Sequence, residues 1–218
     1  MLKTLKYPIR SLIGFVAVIL SIVAVGCLVY RAVIQGNAWH VVSFCIYGLS
    51  LITLWTISTI YHTLNVPLKI NRTLEQLDHG MIYFLIAGTY TPICLIVLYG
   101  SWGWSLFGVN WALAITGIVL KLVFRHPAKW LRILFFSLYI VMGWLVVIAW
   151  FPLIHAMPPR GLFWLVLGGV FYTVGAGIFN LRKVAAPRFG AHEVWHLMVL
   201  AGSFCHFWMM FDYVVYLK

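Results

Sequence analysis

Charged and apolar positions follow one another along the chain in long blocks. No Asp, Glu, Lys or Arg occurs in 11–30, 32–68, 80–120, 133–159, 161–181 or 194–211. A helix that crosses a membrane needs about 20 predominantly apolar residues. The runs are long enough for seven such helices, because 80–120 can hold two. The pattern therefore predicts an all-α protein, a bundle of seven transmembrane helices.

Turn-forming residues divide these runs into separate helices. The Gly-Ser-Trp-Gly segment 100–103 interrupts the longest run, and Pro127 and the pair 158–159 mark two further connections. A short interfacial helix is expected within 63–78. No repeat or linker divides the chain, so 1–218 is predicted to form a single domain. The predicted spans are 11–31, 39–62, 79–99, 103–125, 130–151, 161–182 and 192–216.

The composition excludes an ordinary soluble domain. Hydrophobic residues make up 64% of the chain and charged residues 9%, with a mean hydropathy of +1.01, whereas soluble domains are about 25% charged. The net charge of +11 does not indicate nucleic-acid binding, because the basic residues lie in short loops between apolar runs. The four cysteines lie within apolar runs and lack metal-binding spacing, so no disulfide framework is predicted.

The distribution of basic residues predicts how the chain is oriented. Cytoplasmic loops of membrane proteins carry an excess of Lys and Arg. Of the 15 basic residues, 12 fall on the N-terminal side of the predicted membrane. We therefore expect a cytoplasmic N-terminus, an exterior C-terminus and a multi-pass protein of the plasma (inner) membrane. The 12 are Lys3, Lys6, Arg10, Lys69, Arg72, Lys121, Arg125, Lys129, Arg132, Arg182, Lys183 and Arg188, and the other three are Arg31, Arg160 and Lys218.

Two pairs of polar residues have the spacing of one helical turn. Ser58 and His62 end the second predicted span, and His192 and His196 begin the seventh. Ionisable groups in or beside spanning helices are energetically costly, which makes them candidates for function. His206 lies on the same face as the second pair, about four turns beyond His192. It is either a hydrogen-bonded packing residue or part of a polar stripe inside the bundle.

The predicted topology brings both pairs to one membrane face, where the third span begins with Asp78. Three histidine nitrogens with an open fourth position are the ligand set of a catalytic zinc site. A neighbouring carboxylate can orient the water at such a site or accept its proton. His62, His192 and His196 are therefore predicted to bind Zn²⁺, and Asp78 and Ser58 are the catalytic candidates.

Three ordered segments carry a family resemblance: S-T-I-Y-H (58–62), E-Q-L-D-H-G (75–80), and H-E-V-W-H (192–196) followed by L-M-V-L-A-G-S-F-C-H-F. They resemble the PAQR family, in particular its bacterial hemolysin III-like branch, and the resemblance covers nearly the whole chain. It implies membership of a membrane-hydrolase superfamily that includes alkaline ceramidases. It also implies cytoplasmic zinc held by the three histidines, with the serine and aspartate of the first two segments beside it, and a role in membrane homeostasis.

Three functions remain open from the sequence. The first is a zinc-dependent hydrolase of a lipid amide or ester, in which Asp78 is the base and Ser58 donates a hydrogen bond to the oxyanion. The second is an intramembrane metalloprotease, because 192–196 also fits H-E-x-x-H with Glu193 as the base. The third is a non-enzymatic regulator or receptor with structural zinc. In the first and third, a membrane lipid is the expected substrate or ligand.

Overall fold

The computed structural model describes residues 5–124, 127–181 and 189–217. The described residues contain seven helical segments that are long and apolar enough to cross a membrane, as the sequence predicted. The fifth segment consists of two helices joined by a 3₁₀ turn, Leu145–Ala149. The helices are α1 (Pro8–Gln35), α2 (Ala38–Thr63), α3 (Leu68–Pro92), α4 (Ser101–Val123), α5 (Lys129–Trp144), α6 (Trp150–Ala156), α7 (Pro159–Leu181) and α8 (Ala191–Asp212).

Seven crossings place the start of α1 and the end of α8 on opposite faces of the membrane. We call the face where α1 begins the N-terminal face. Among the described basic residues, seven lie toward this face and two toward the opposite one. The seven are Lys6, Arg10, Lys69, Arg72, Lys121, Lys129 and Arg132, and the two are Arg31 and Arg160. Lys3, Arg125, Arg182, Lys183, Arg188 and Lys218 lie outside the described residues, as does His126.

The third span forms the centre of the bundle. In its most apolar stretch 83% of the residues are buried, against 22–50% in the other spans. It packs between α2 and α4, while α1 contacts both α2 and α8, and α7 packs along α8. Close approach of α2 and α3 requires Gly88, because a side chain there would collide with Ser50. The large apolar side chains left exposed on the outer spans suit contact with lipid.

The third span begins earlier than the sequence predicted. Instead of a separate interfacial helix within 63–78, α3 runs without interruption from Leu68 into the bundle. After Pro67 the segment contains no Gly or Pro until Gly80, so nothing ends the helix between its charged first turns and its apolar part. Asp78 therefore lies about 15 Å along α3 and not at its start.

Two local interruptions shape the half of the bundle near the opposite face. After Pro92 the third span ends in a π-helical turn, Ile93–Val97, and a turn follows with Gly100 at a φ of 97° that favours glycine. Of the predicted turn 100–103 only Gly100 lies outside a helix, because α4 begins at Ser101. In the fifth span, the α-helix is interrupted by the 3₁₀ turn between α5 and α6. There the Tyr90 hydroxyl donates to Gly143 O (2.9 Å) and accepts from Val146 N (2.8 Å). One side chain thus pairs backbone groups that the interrupted helix leaves free.

Candidate metal centre

Three histidines meet on the N-terminal face, where α2 ends and α8 begins. Ring centroids are 4.8 Å apart for His62 and His192, 5.0 Å for His62 and His196, and 4.9 Å for His192 and His196. One nitrogen from each ring lies within 4.8 Å of the others, so a single ion can be shared by all three. The i, i+4 spacing in α8 presents two of the rings on one helical face, and α2 supplies the third.

The chemistry of these rings fits a metal ion. His62 is fully buried and His196 is 4% exposed. Within the described residues, neither ring nitrogen of His62 has a hydrogen-bond partner, and Nδ1 of His196 also lacks one. A buried polar atom without a partner is destabilising by about 1–3 kcal/mol. Coordination would satisfy such atoms, and three neutral imidazoles are a normal zinc ligand set.

Ser58 and Asp78 lie next to each other, and Ser58 is on the same helix as His62. Ser58 is 4% exposed and lies one turn before His62 on α2. Its hydroxyl neighbours the carboxyl group of Asp78, which is half-buried on α3. No hydrogen bond between Ser58 and its own helix occurs among the described residues, whereas the adjacent Thr59 donates to Trp55 O at 2.6 Å. Among the described residues, the Ser58 hydroxyl therefore does not make the bond to its own helix backbone that serine can form in membrane helices.

Glu193 has a different environment from Asp78, although it follows a candidate ligand directly. Its Oε1 accepts from Arg10 Nε at 2.7 Å, and its Oε2 accepts from Gly190 N at 2.8 Å. The second bond closes the first turn of α8, where a carboxylate also complements the helix dipole. Both carboxylate oxygens therefore have structural partners, and Glu193 joins α8 to α1.

The start of α1 covers His62, a feature that the sequence did not predict. Tyr7 N donates to His62 O at 3.0 Å, and the Ser11 hydroxyl is shared between His62 O (3.1 Å) and Tyr7 O (2.9 Å). These bonds satisfy a carbonyl that the end of α2 leaves without a helical partner. The Tyr7 ring also contacts the His62 ring edge-on, with centroids 5.8 Å apart. The sequence signal here is the pair Lys6 and Arg10, which the charge pattern assigns to membrane topology.

Lys6 fixes the same segment from the other side. Its Nζ donates to Tyr61 O at 3.2 Å and to Asn71 Oδ1 at 2.5 Å, and it lies 3.9 Å from the centre of the Tyr61 ring. Partial burial lowers the pKa of Lys6 from its usual value, and the negative charge of Glu75 opposes that effect. The start of α1 is thereby tied to both α2 and α3.

The remaining polar residues of the candidate stripe form a separate group deeper in the bundle. The Tyr172 hydroxyl and Ser203 Oγ are 2.9 Å apart, and Tyr47 donates to Ser203 O at 3.2 Å. His206 Nε2 is 3.2 Å from Leu165 O. His206 is hydrogen-bonded and 6% exposed, as expected for a packing residue. The backbone carbonyl of His79 accepts a hydrogen bond from the Tyr139 hydroxyl, outside this group.

Comparison with known proteins identifies relatives over most of the chain. A model of the family described as Haemolysin-III related matches residues 5–207. The chain is 40% identical to Hemolysin-3 of Bacillus cereus, covering 92% of this chain and 88% of that protein. It is 39% identical to the Hemolysin-3 homolog of Bacillus subtilis (97% and 96% covered), and 24% identical to the human Monocyte to macrophage differentiation factor (83% and 74% covered). These matches agree with the resemblance carried by the three ordered motifs.

Proposed function

We propose, for a chain that belongs to the haemolysin-III related family, that His62, His192 and His196 bind zinc and that the protein hydrolyses a lipid amide or ester. One observation carries the proposal: three imidazoles converge, two of them buried and that of His192 half-buried. Both ring nitrogens of His62 and Nδ1 of His196 have no partner among the described residues. Three protein nitrogens leave a fourth position open, as catalytic zinc sites do. The proposed setting is the plasma (inner) membrane, with a role in membrane lipid homeostasis.

The chain's own residues supply the remaining chemistry. Zinc held by the three histidines would polarise an acyl oxygen and would lower the pKa of water. In the proposed reaction, Asp78 accepts the proton of the water that attacks the acyl carbon. Ser58 donates a hydrogen bond to the oxygen on which negative charge develops. As the C–N or C–O bond breaks, the proton passes from Asp78 to the leaving amine or alcohol, and the free acid is released.

The location of the cluster favours a lipid over a peptide or a soluble substrate. The histidines lie at helix ends near one membrane face, which is where the acyl linkages of lipids lie. Glu193, the base that a metalloprotease of the H-E-x-x-H type needs, is engaged by Arg10 and Gly190. Asp78 has fewer partners and stands beside Ser58. A lipid amide or ester hydrolase is therefore the better supported of the two enzymes.

Metal analysis combined with a lipid assay tests the proposal. The purified wild type should contain one zinc per chain and release fatty acid from lipid amides or esters in detergent micelles. The His192→Ala, His196→Ala double variant should lose both properties. His155→Ala is the matched control, because His155 is exposed and its Nδ1 lies 2.7 Å from Phe151 O, outside the cluster. Full zinc content in the double variant would overturn the site. Zinc without any lipid turnover in the wild type would favour the regulator or receptor.

A further inference from the structure

A second polar site lies on the opposite face of the membrane, between α1 and α8. A cavity of about 230 Å³ opens there, lined by Cys27, Tyr30, Arg31, Ile34, Gln35 and Phe211. Arg31 lies about 35 Å along α1 from Pro8. Since the hydrocarbon core of a bilayer is about 30 Å thick, this distance puts Arg31 at the headgroup level of the opposite leaflet. The cavity is therefore far from the histidine cluster.

The guanidinium of Arg31 is held in place by neutral groups. Its centre lies 4.3 Å from the centroid of the Phe211 ring and 5.6 Å from that of Tyr216. Nη1 contacts the Tyr216 hydroxyl and lies 3.4 Å from Gln35 Oε1. The cation–π contact with Phe211 and the bonds to Tyr216 and Gln35 restrain the guanidinium and leave several of its five N–H groups free to bind a ligand.

Within the part of the chain that the structure describes, Arg31 forms no ion pair with a carboxylate. The described residues contain one ion pair, and it joins Arg10 to Glu193 on the other face. Asp212 follows Phe211 directly yet forms no ion pair with Arg31. A fixed cation beside a cavity at the membrane surface attracts an anion, and a planar guanidinium matches the oxygens of a phosphate in a bidentate manner.

We propose that this cavity binds the phosphodiester group of a phospholipid from the leaflet on that face. Arg31 contacts the phosphate oxygens, and Gln35 and Tyr30 lie where a polar headgroup would extend. The apolar wall formed by Cys27 and Ile34 continues into the exposed apolar surface of α1, which includes Val23 and is open to acyl chains. That apolar wall favours a lipid over free phosphate as the source of the ligand.

Native mass spectrometry of the purified protein in detergent tests this site. The probes are phosphatidylglycerol, diacylglycerol with the same acyl chains, and inorganic phosphate. We expect the wild type to retain one phosphatidylglycerol in preference to the other two probes. Arg31→Gln should weaken that binding about tenfold or more, because charge-assisted hydrogen bonds are lost. Phe211→Leu should weaken it less, because the charge remains while the cation–π contact with the ring is lost.

The matched control is Arg160→Gln. Arg160 lies on the same face at the start of α7, is exposed, and has no aromatic ring beneath it among the described contacts. The Arg160→Gln variant should leave lipid binding unchanged. If Arg31→Gln folds poorly, Arg31→Lys provides the second variant, and we expect it to bind with intermediate affinity because lysine retains the charge. Equal weakening by the Arg160 variant would reduce the effect to general charge attraction and overturn the proposal. The proposal would also be overturned if the wild type bound diacylglycerol or inorganic phosphate as tightly as phosphatidylglycerol. It would be overturned as well if both Arg31 variants bound phosphatidylglycerol as tightly as the wild type.

Discussion

The two acidic residues Glu193 and Asp78 differ in how many hydrogen-bond partners their carboxylate oxygens have. Glu193 uses both carboxylate oxygens, one for Arg10 and one for Gly190 N. Asp78 neighbours the Ser58 hydroxyl and retains acceptor capacity for a water molecule or a substrate group. The structure therefore gives the two acids different surroundings: Glu193 holds α8 in place, and Asp78, already the leading candidate from the sequence, is the proposed base.

Exchange of each acid for its amide separates these roles. Asp78→Asn should retain zinc and abolish lipid hydrolysis, because the side chain keeps its shape and loses its proton acceptor. Glu193→Gln should retain zinc and most activity, since glutamine still caps a helix start. We expect it to lower the free energy of unfolding by about 1 kcal/mol, because the Arg10 pair is partly exposed to solvent. Metal content, fatty-acid release and thermal unfolding of the purified variants provide the measurements.

The reverse order of activities would contradict the assignment. If Glu193→Gln abolished turnover while Asp78→Asn did not, the H-E-x-x-H protease would become the better interpretation. If both variants matched the wild type while loss of a histidine removed function, the zinc would be structural. Arg10→Gln is a useful companion, because it removes the partner of Glu193 and leaves all five candidate site residues unchanged.

The histidine cluster was predictable at this scale, but its surroundings were not. His192 and His196 share a helical face by spacing, and an even number of crossings returns the chain from His62 to the same membrane face. The contact of Arg10 with Glu193 joins residues 183 positions apart. Neither residue shows a local pattern that differs from an ordinary loop charge or helix cap. Their pairing depends on how α1 packs against α8, which hydropathy does not specify.

Among the helices, the interruption of the fifth span depends on one hydroxyl group. Tyr90 on α3 pairs with Gly143 O and Val146 N, the backbone groups that the change from α5 to the 3₁₀ turn leaves open. In a lipid environment no water replaces a lost partner, so such groups must be satisfied within the protein. Tyr90 is 4% exposed, so water has little access to the backbone groups that its hydroxyl pairs.

Tyr90→Phe should therefore destabilise the fifth span. The change keeps the ring but leaves one donor and one acceptor unpaired, which we expect to lower the free energy of unfolding by about 2–3 kcal/mol. The measurement is denaturant-induced unfolding of the purified protein in detergent. Tyr99→Phe is the control, because Tyr99 is 72% exposed and should have no effect. Equal stability of the two variants would show that the interruption does not need this hydroxyl.

The apolar runs predict that the spanning helices exist, but they do not predict the places where two of these helices become irregular. A continuous apolar block contains no signal that marks a π-helical turn at Ile93–Val97 or a 3₁₀ turn at Leu145–Ala149. Both arise from packing and from side chains on other spans. The extension of α3 back to Leu68 was missed for another reason. Hydropathy identifies the part of a helix inside the membrane, and the first turns of α3 are charged.

At the scale of the whole molecule, the second span is joined to the C-terminal region at three depths. The histidine cluster lies on the N-terminal face, Tyr47 bonds to Ser203 O in the middle, and His40 Nε2 lies 3.2 Å from Val214 O near the opposite face. Only the first of these connections would depend on a metal ion. The other two should hold the bundle together when the metal is removed.

Chelation of the proposed zinc should accordingly lower stability without unfolding the protein. Binding that is confined to the folded state stabilises it by about 4 kcal/mol at a free ligand concentration a thousand times the Kd. We expect a strong chelator to lower the unfolding temperature of the wild type and added zinc to restore it. The His192→Ala, His196→Ala double variant should resemble the chelated protein and should not respond further to chelator. A response equal to that of the wild type would place the stabilising metal elsewhere.

The orientation of the bundle decides which leaflet each of the two sites faces. Seven of the nine basic residues in the described part of the chain lie toward the N-terminal face, and such residues are concentrated on the cytoplasmic side of membrane proteins. We expect a reporter fused after the last residue to respond as exterior and one inserted between α7 and α8 to respond as cytoplasmic. The histidine cluster would then face the cytoplasm and Arg31 the outer leaflet. The opposite pair of responses would reverse both assignments, and the same response from both fusions would contradict a seventh crossing.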